Sequence, residues 1–349
     1  MSGATLSPSS NSSLPVRRRD SGRTGWAIFL VSLALLSLIA ALSLILGAKA
    51  IPFATVVDSL SGDASGPDAT IILESRLPRT LLGLLAGAAL GASGALIQAL
   101  TRNPLAEPGI LGVNAGAGLA MVLGVAFFGV HSQVGYLGLA SLGALLTTVL
   151  VFFAGYYGAT RMDPLRFVLA GVAIGAVMAG AASAVTLLHP SVFDTMRYWS
   201  AGSLNVRSLE PVLWVAPVIV AGILLALFLA TPLNAIAMGE DLAVALGAKP
   251  QWVQGLSILA ITLLCGGATA ATGPIAFVGL MIPHIARWLM GADQRWIILL
   301  TLTLSPCLLL SADILGRFLA PGELRVSIVT AFLGAPILIW LARRHQGGA

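Results

Sequence analysis

Residues 76–118 read RLPRTLLGLLAGAALGASGALIQALTRNPLAEPGILGVNAGAG, and this stretch decides the fold. Its apolar part, residues 80–100, carries no charge and is long enough to cross a bilayer as one helix. Glycines stand there at positions 83, 87, 91 and 94, so one helix face offers bare backbone to a neighbouring helix. Pro104 and Pro108 then enforce a non-helical connection before the next apolar run. The stretch predicts a tightly packed membrane helix followed by a break.

The rest of the chain has the same character. Of 349 residues, 57% are hydrophobic and only 9% are charged, whereas a soluble domain carries about 25% charged residues. The charges are segregated, and the uncharged runs between them predict an all-α polytopic integral membrane protein with about ten transmembrane helices. The expected spans are residues 26–47, 79–100, 110–130, 134–158, 165–188, 211–231, 252–271, 275–291, 296–312 and 326–342.

The basic residues at the two ends of the chain predict the orientation. Arg17, Arg18, Arg19 and Arg23 precede the first span, and a pair at positions 343–344 follows the last. An even number of spans places both clusters on one side, and the positive-inside rule makes that side the cytoplasm. The net charge of +5 is thereby explained by topology in a lipid bilayer, and no nucleic-acid partner is expected.

The chain is expected to hold one large domain. Residues 1–25 predict a disordered cytoplasmic N-terminal tail, residues 26–344 a transmembrane permease domain, and residues 345–349 a short C-terminal tail. The first apolar run could instead be a cleaved signal peptide, but its length and the many spans that follow favour a retained anchor.

The residues that perform chemistry in enzymes are scarce. The chain has no G-x-x-x-x-G-K-[ST] motif, and neither of its two lysines, Lys49 and Lys249, follows a glycine-rich loop. None of the four histidines has a second ligand at metal spacing, and Cys265 and Cys307 fall within spans as packing residues. We expect no catalysis, no metal site and no cofactor. The uncharged spans also argue against an ion-coupled carrier, so energy must come from another subunit unless the protein is passive.

The segment at residues 232–250, PLNAIAMGEDLAVALGAKP, is the best candidate for receiving that energy. Glu240 and Asp241 suit the start of a short helix, and Gly247 can end it in the left-handed conformation. An apolar helix on the cytoplasmic side fits a groove on a partner. An ordinary loop helix packed on its own protein explains the pattern equally well.

Three further strings carry a resemblance to a known family. They are TRNPLA at residues 101–106, GPIAFVGLMIPHIAR at residues 273–287 and LGAP at residues 333–336. With these strings the chain resembles the FecCD family, the permease subunits of iron-siderophore and vitamin B12 ABC importers, from residue 47 to about residue 344. The resemblance implies a type II ABC importer permease fold and a separate ATPase subunit that binds the ATP.

The resemblance also implies roles for particular residues. In the family the segment at residues 232–250 is the coupling helix seated in the ATPase, arginines on the outer side meet acidic residues of the binding protein, and two segments close a cytoplasmic gate. The matching positions here are Gly239, Glu240, Asp241, Ala243, Leu246 and Gly247 for coupling, Arg76, Arg79 and Arg317 for docking, and Asn103, Leu105, Pro164 and Leu165 for the gate.

Two alternatives to docking remain open. The outer arginines could snorkel to lipid headgroups, and Asp313, four residues before Arg317, could pair with that arginine. One departure from the family concerns residues 323–327, which read ELRVS where most members read ELPxG. It removes a proline-glycine turn and adds the cation Arg325 on the outer side.

The function implied is that of an inner-membrane permease subunit for a ferric siderophore, with ferric enterobactin as the expected cargo. The implied partners are a homologous second permease subunit in a heterodimer, two copies of a cytoplasmic ATPase subunit and a periplasmic siderophore-binding protein. Another siderophore, heme or a corrinoid is the alternative cargo within the family. An ion-coupled secondary transporter and a non-transporting membrane scaffold are the alternatives outside it.

Overall fold

A computed structural model describes residues 21–47, 49–157, 164–245, 247, 249–319 and 323–346. Helices and their connections make up this part of the chain, and it contains no strand. The helices are α1 (Ser21–Ile45), α2 (Phe53–Ser61), α3 (Pro67–Ile71), α4 (Leu77–Thr101), α5 (Val113–Phe128), α6 (Gln133–Tyr156), α7 (Pro164–Leu188), α8 (Pro190–Trp199), α9 (Glu210–Ala237), α10 (Glu240–Ala245), α11 (Pro250–Thr272), α12 (Val278–Met290), α13 (Gln294–Leu319) and α14 (Val326–Gln346).

The predicted membrane character is confirmed. Seven helices are long and apolar enough to cross a bilayer, namely α1, α4, α6, α7, α9, α11 and α13. Three shorter apolar helices, α5, α12 and most of α14, occupy the remaining predicted spans. The count of ten stays a prediction, because it requires these three to be counted as spans. Helix α1 begins at Ser21, so residues 21–25 are helical although they were expected in the disordered tail.

Helices α4, α11 and α13 form the centre of the bundle, and α1 and α7 lie at its edge. In each central helix most residues of the most apolar stretch are buried, whereas only 11% of the corresponding stretch is buried in α1 and 6% in α7. Gly83, Gly87 and Gly91 of α4 face α13, where a Cβ would meet Leu310, Pro306 and Ser305 in turn. The predicted glycine face is therefore a close helix–helix contact.

Helices α5 and α12 both begin inside the bundle rather than at its surface. Gly279, the second residue of α12, lies against Leu90 and Gly94 in the middle of α4. Along the α4 axis, Leu90 is about 20 Å from the first residue, Leu77, and about 16 Å from the last, Thr101. Gly116 at the start of α5 contacts Gly143 in the middle of α6. The segments that precede these two helices are thus enclosed by protein, as backbone outside an α-helix must be in a membrane, and the one before α5 contains a 3₁₀ turn at Pro108–Leu111.

Candidate functional site

The three arginines predicted to dock a partner lie together at the end of the bundle that is predicted to face outward, called the outer end, and all three are buried. Arg76, Arg79 and Arg317 are only 5%, 6% and 7% exposed. Arg79 donates to both carboxylate oxygens of Asp313, at 2.8–3.1 Å, and Arg317 donates to the same carboxylate at 2.7 Å. Asp313 is 1% exposed. One buried carboxylate therefore holds two guanidinium groups and ties α4 to α13.

Two of these arginines also cap the end of α1. The last carbonyls of a helix have no partner within it and carry its negative dipole. Arg76 donates to the carbonyl oxygens of Leu44 and Ile45, at 2.8 and 2.6 Å, and to that of Lys49. Arg317 donates to the carbonyls of residues 43 and 46, at 2.7 Å each.

The Arg79–Asp313–Arg317 cluster, with Arg76 beside it, is an internal clamp. Arg79 has one more partner, Glu323, whose carboxylate accepts at 2.6 Å. The predicted alternative, an Asp313–Arg317 pair, is present. Burial and internal partners occupy all three arginines in this structure. Docking through them stays a prediction, and it would require a partner's carboxylate to displace an internal one.

At the inner end, the predicted gate residues lie on a turn and at a helix start. The Asn103 side chain accepts a hydrogen bond from the backbone N–H of Leu105 at 2.9 Å, which closes a tight turn just after α4. Leu105 is part-exposed, and Leu165 is exposed at the start of α7. Pro164 begins that helix, and its side chain lies outside the described residues. The gating role of the two segments stays a prediction.

Glu107 is a residue at membrane depth that sequence reasoning missed. Its Oε1 accepts a hydrogen bond at 3.0 Å from the backbone N–H of Phe277, the residue that precedes α12. Phe277 has φ +70°, a left-handed conformation that is uncommon outside glycine. The interaction links the break after α4 to the break before α12. Glu107 lies between the predicted spans 79–100 and 110–130, and its signal in the sequence was the glutamate between two prolines in NPLAEPG.

The predicted coupling segment forms α10, a short helix between two left-handed glycines. Gly239 has φ +123° and Gly247 has φ +83°, as expected for the residues that flank a short helix. Ala243 is fully buried against the rest of the protein, whereas Val244 is 57% exposed. The side chains of Glu240 and Asp241, and all of Leu246, lie outside the described residues. One face of α10 is thus seated on its own protein and the opposite face is open.

The end of α9 that leads into α10 is bonded to the turn before α13. Asn234 donates to Asp293 at 2.7 Å and accepts from the N–H of Gln294 at 2.8 Å. Arg295 donates to the hydroxyl of Thr231 at 3.1 Å. A displacement of α10 would therefore act on α13 through this contact as well as along α9.

The comparisons with known proteins agree with this arrangement. The sequence profile of the FecCD transport family matches residues 35–344. This chain belongs to the FecCD transport family. The match covers every membrane helix from the middle of α1 onward, including both interior breaks and α10.

Individual relatives and a solved structure extend the comparison. The chain is 54% identical over 326 residues to the ferric enterobactin transport system permease protein FepD of Escherichia coli (strain K12), which covers 93% of this chain and 97% of that protein. It is 34% identical to the hemin transport system permease protein HmuU of Yersinia pestis, over 90% of this chain and 94% of that protein. An inward-facing structure of a metal-chelate type ABC transporter has a TM-score of 0.79 and 28% identity, and the match covers 91% of this chain and 99% of the other.

Proposed function

We propose that this protein is the permease subunit of an ABC importer that carries ferric enterobactin across the inner membrane. The single observation that carries the proposal is the 54% identity to the E. coli ferric enterobactin permease over 93% of this chain. The fold supports it, because the apolar helices enclose two interior breaks of the kind that line a transport path.

The energy comes from a separate ATPase in this proposal, and the chain itself performs no covalent chemistry. Two ATPase copies sit on the cytoplasmic side and contact the open face of α10. A homologous second permease completes the membrane part as a heterodimer, and a periplasmic siderophore-binding protein delivers the cargo to the outer end. Both termini of the chain lie in the cytoplasm.

The gate follows from the same proposal. Asn103 and Leu105 on one segment, and Pro164 and Leu165 on the other, close the cytoplasmic end while the outer end accepts cargo. Movement of α10 against the ATPase is passed to α13 through Asn234 and to the gate segment through α9, because Arg102 donates to the carbonyl of Ile236 at 2.9 Å.

An uptake experiment tests the proposal. A strain that lacks this permease should fail to grow on ferric enterobactin as its iron source, and the gene supplied on a plasmid should restore growth. Normal growth of the deletion strain on that chelate would contradict the proposed cargo. Loss of growth on heme or on a different chelate instead would assign another cargo of the same family.

A further inference from the structure

The outer end of the molecule contains a polar cavity of about 470 Å³ to which no role has been assigned. Its lining includes Arg79, Arg207 and Arg325 against one carboxylate, Glu323. Asp313 behind Arg79 offsets a further positive charge. The excess positive charge of the cavity is therefore located at Arg207 and Arg325.

Arg207 is exposed into this cavity, and no described residue is its internal partner. Among the described residues it makes neither a hydrogen bond nor an ion pair, in contrast to Arg79 of the clamp, which lines the same cavity. The side-chain amide of Asn205, two residues earlier, lines the same cavity and is equally unpaired within the described part of the chain. A guanidinium and an amide that converge on one enclosed space form a site for an oxygen anion.

Arg325 is held in place by its surroundings. One guanidinium nitrogen donates to the carbonyl oxygens of Arg197 and Tyr198, at 3.0 and 2.8 Å. Its guanidinium carbon also lies 4.9 Å from the centre of the Tyr198 ring. The remaining N–H groups have a fixed direction, so a ligand that they bind loses little affinity to side-chain ordering.

A second, separate cavity lies along the same two segments of the chain. Tyr198 and Ser203 line the polar cavity, whereas Ser200 and Ala201 between them line an apolar cavity of about 770 Å³. In the same way Arg325 lines the first cavity, and Ser327 lines the second. A cationic cavity thus lies beside an apolar cavity that is bounded by α14.

We propose that Arg207, Arg325 and Asn205 form an entry site that takes an anionic iron chelate from the outer side before the chelate passes into the apolar cavity. The inference rests on the proposed function, because a ferric catecholate is an anion: six phenolate oxygens surround one Fe³⁺. An acidic side chain of a docked protein presents similar chemistry. The apolar cavity beside the site favours the chelate, since a docked acidic side chain needs no apolar space next to its anion site.

The decisive variant is Arg207→Gln, because Arg207 has no internal partner whose loss would disturb the fold. The assembled importer is placed in proteoliposomes with saturating chelate-loaded binding protein. We expect the transport rate per complex to fall about tenfold for Arg207→Gln with Arg325→Gln, and by severalfold for Arg207→Gln alone, as loss of a charged hydrogen bond implies. Lys49→Gln removes an outer charge away from the cavity, and its transport rate should stay at the wild-type value.

Two further readouts separate the outcomes. The affinity of chelate-free binding protein for the importer should change less than about twofold in all three variants. An unchanged transport rate in the double variant would overturn the proposal, and so would a loss of docking affinity that accounts for the loss of transport. If the wild-type importer carries no ferric enterobactin, the proposed cargo has failed. The same variants are then compared on the chelate that is carried, and equal loss for an uncharged chelate would overturn the entry site.

Discussion

The two ends of the bundle differ in whether their groups are buried and partnered within the chain or exposed. At the outer end the Arg79–Asp313–Arg317 cluster is buried, and its charges are satisfied within the chain. At the inner end Val244 of α10 is open to solvent, and the helix is seated on the protein through Ala243 alone among its described side chains. The difference teaches that the first region maintains this subunit's own structure, whereas the second presents an exposed apolar side chain of the kind that the proposed ATPase contact needs.

The largest effect should come from Asp313→Asn, which removes the negative charge of the outer cluster. It leaves Arg79 and Arg317 buried without their shared carboxylate, and a broken buried ion pair costs about 3–5 kcal/mol. The buried thiols Cys265 and Cys307 provide the measurement, since a thiol-reactive dye labels them only as the protein unfolds on heating.

The matched control is Asp194→Asn, whose carboxylate is 71% exposed and lies 3.6 Å from Arg197. It should leave the dye-labelling midpoint within about a degree of wild type, because an exposed pair contributes about 0–1 kcal/mol. Equal midpoints for the two variants would show that the outer cluster is not a structural clamp.

The second prediction concerns a substitution on α10 at the inner end, which leaves the outer cluster unchanged. Val244→Asp places a charge on the open face of α10, where a partner groove would bury it. We expect the affinity for the ATPase to fall roughly thirtyfold, as for a hot-spot residue, with no loss of thermal stability. Affinity is measured by titrating the ATPase into the permease in nanodiscs.

Val57→Asp is the control for that experiment. It makes the same substitution at an exposed valine of α2 on the opposite side of the membrane. ATPase affinity should stay at the wild-type value. If both variants bound the ATPase equally well, α10 would not be the contact.

A smaller effect is expected from Asn234→Ala, which sharpens the account of how the inner end is connected. The change removes two hydrogen bonds to the turn before α13 and should cost about 1–2 kcal/mol. Transport per ATP hydrolysed should also fall, because the end of α9 that leads into α10 loses its contact with the turn before α13. Thr231→Val removes only the bond from Arg295, and its transport per ATP should match wild type. If Asn234→Ala kept the wild-type transport per ATP hydrolysed, the connection from α10 to the rest of the bundle would run along α9 alone.

The smallest effect is expected for Lys49→Gln at the outer end. Lys49 pairs with Asp68, but its side chain is 59% exposed, so the loss should be at most about 0.5 kcal/mol. The dye-labelling midpoint measures it beside Asp313→Asn. A shift as large as that of Asp313→Asn would mean that burial does not decide which charges hold the outer end.

The sequence predicts the helices well, because a membrane helix is set by a local run of apolar residues. Each predicted span coincides with a helix whose start and end both lie within a few residues of it, except that α9 and α13 continue further at their C-terminal ends. The depth at which α5 and α12 begin within the bundle could not be predicted. The runs at residues 110–130 and 275–291 look like full spans, since hydrophobicity measures the affinity for lipid and not the position of a helix end within the bundle.

Local spacing also decides which site contacts could be predicted. The pair of Asp313 and Arg317 follows from their four-residue separation on one helix. The bonds from Arg79 to Asp313 and from Phe277 to Glu107 join residues 234 and 170 positions apart, and no local pattern encodes them. The burial of the docking candidates follows from those distant partners, so it could not be foreseen from the sequence.

The central claim is that the chain has no energy source of its own and depends on a partner at α10. The direct test compares vesicles that hold only the permease pair with vesicles that hold the full importer, each with loaded binding protein. We predict accumulation of the ferric chelate against its gradient only with the ATPase and ATP present. Uphill accumulation by the permeases alone, driven by a proton or sodium gradient, would contradict the account and would make Glu107 the first carboxylate to test for ion coupling.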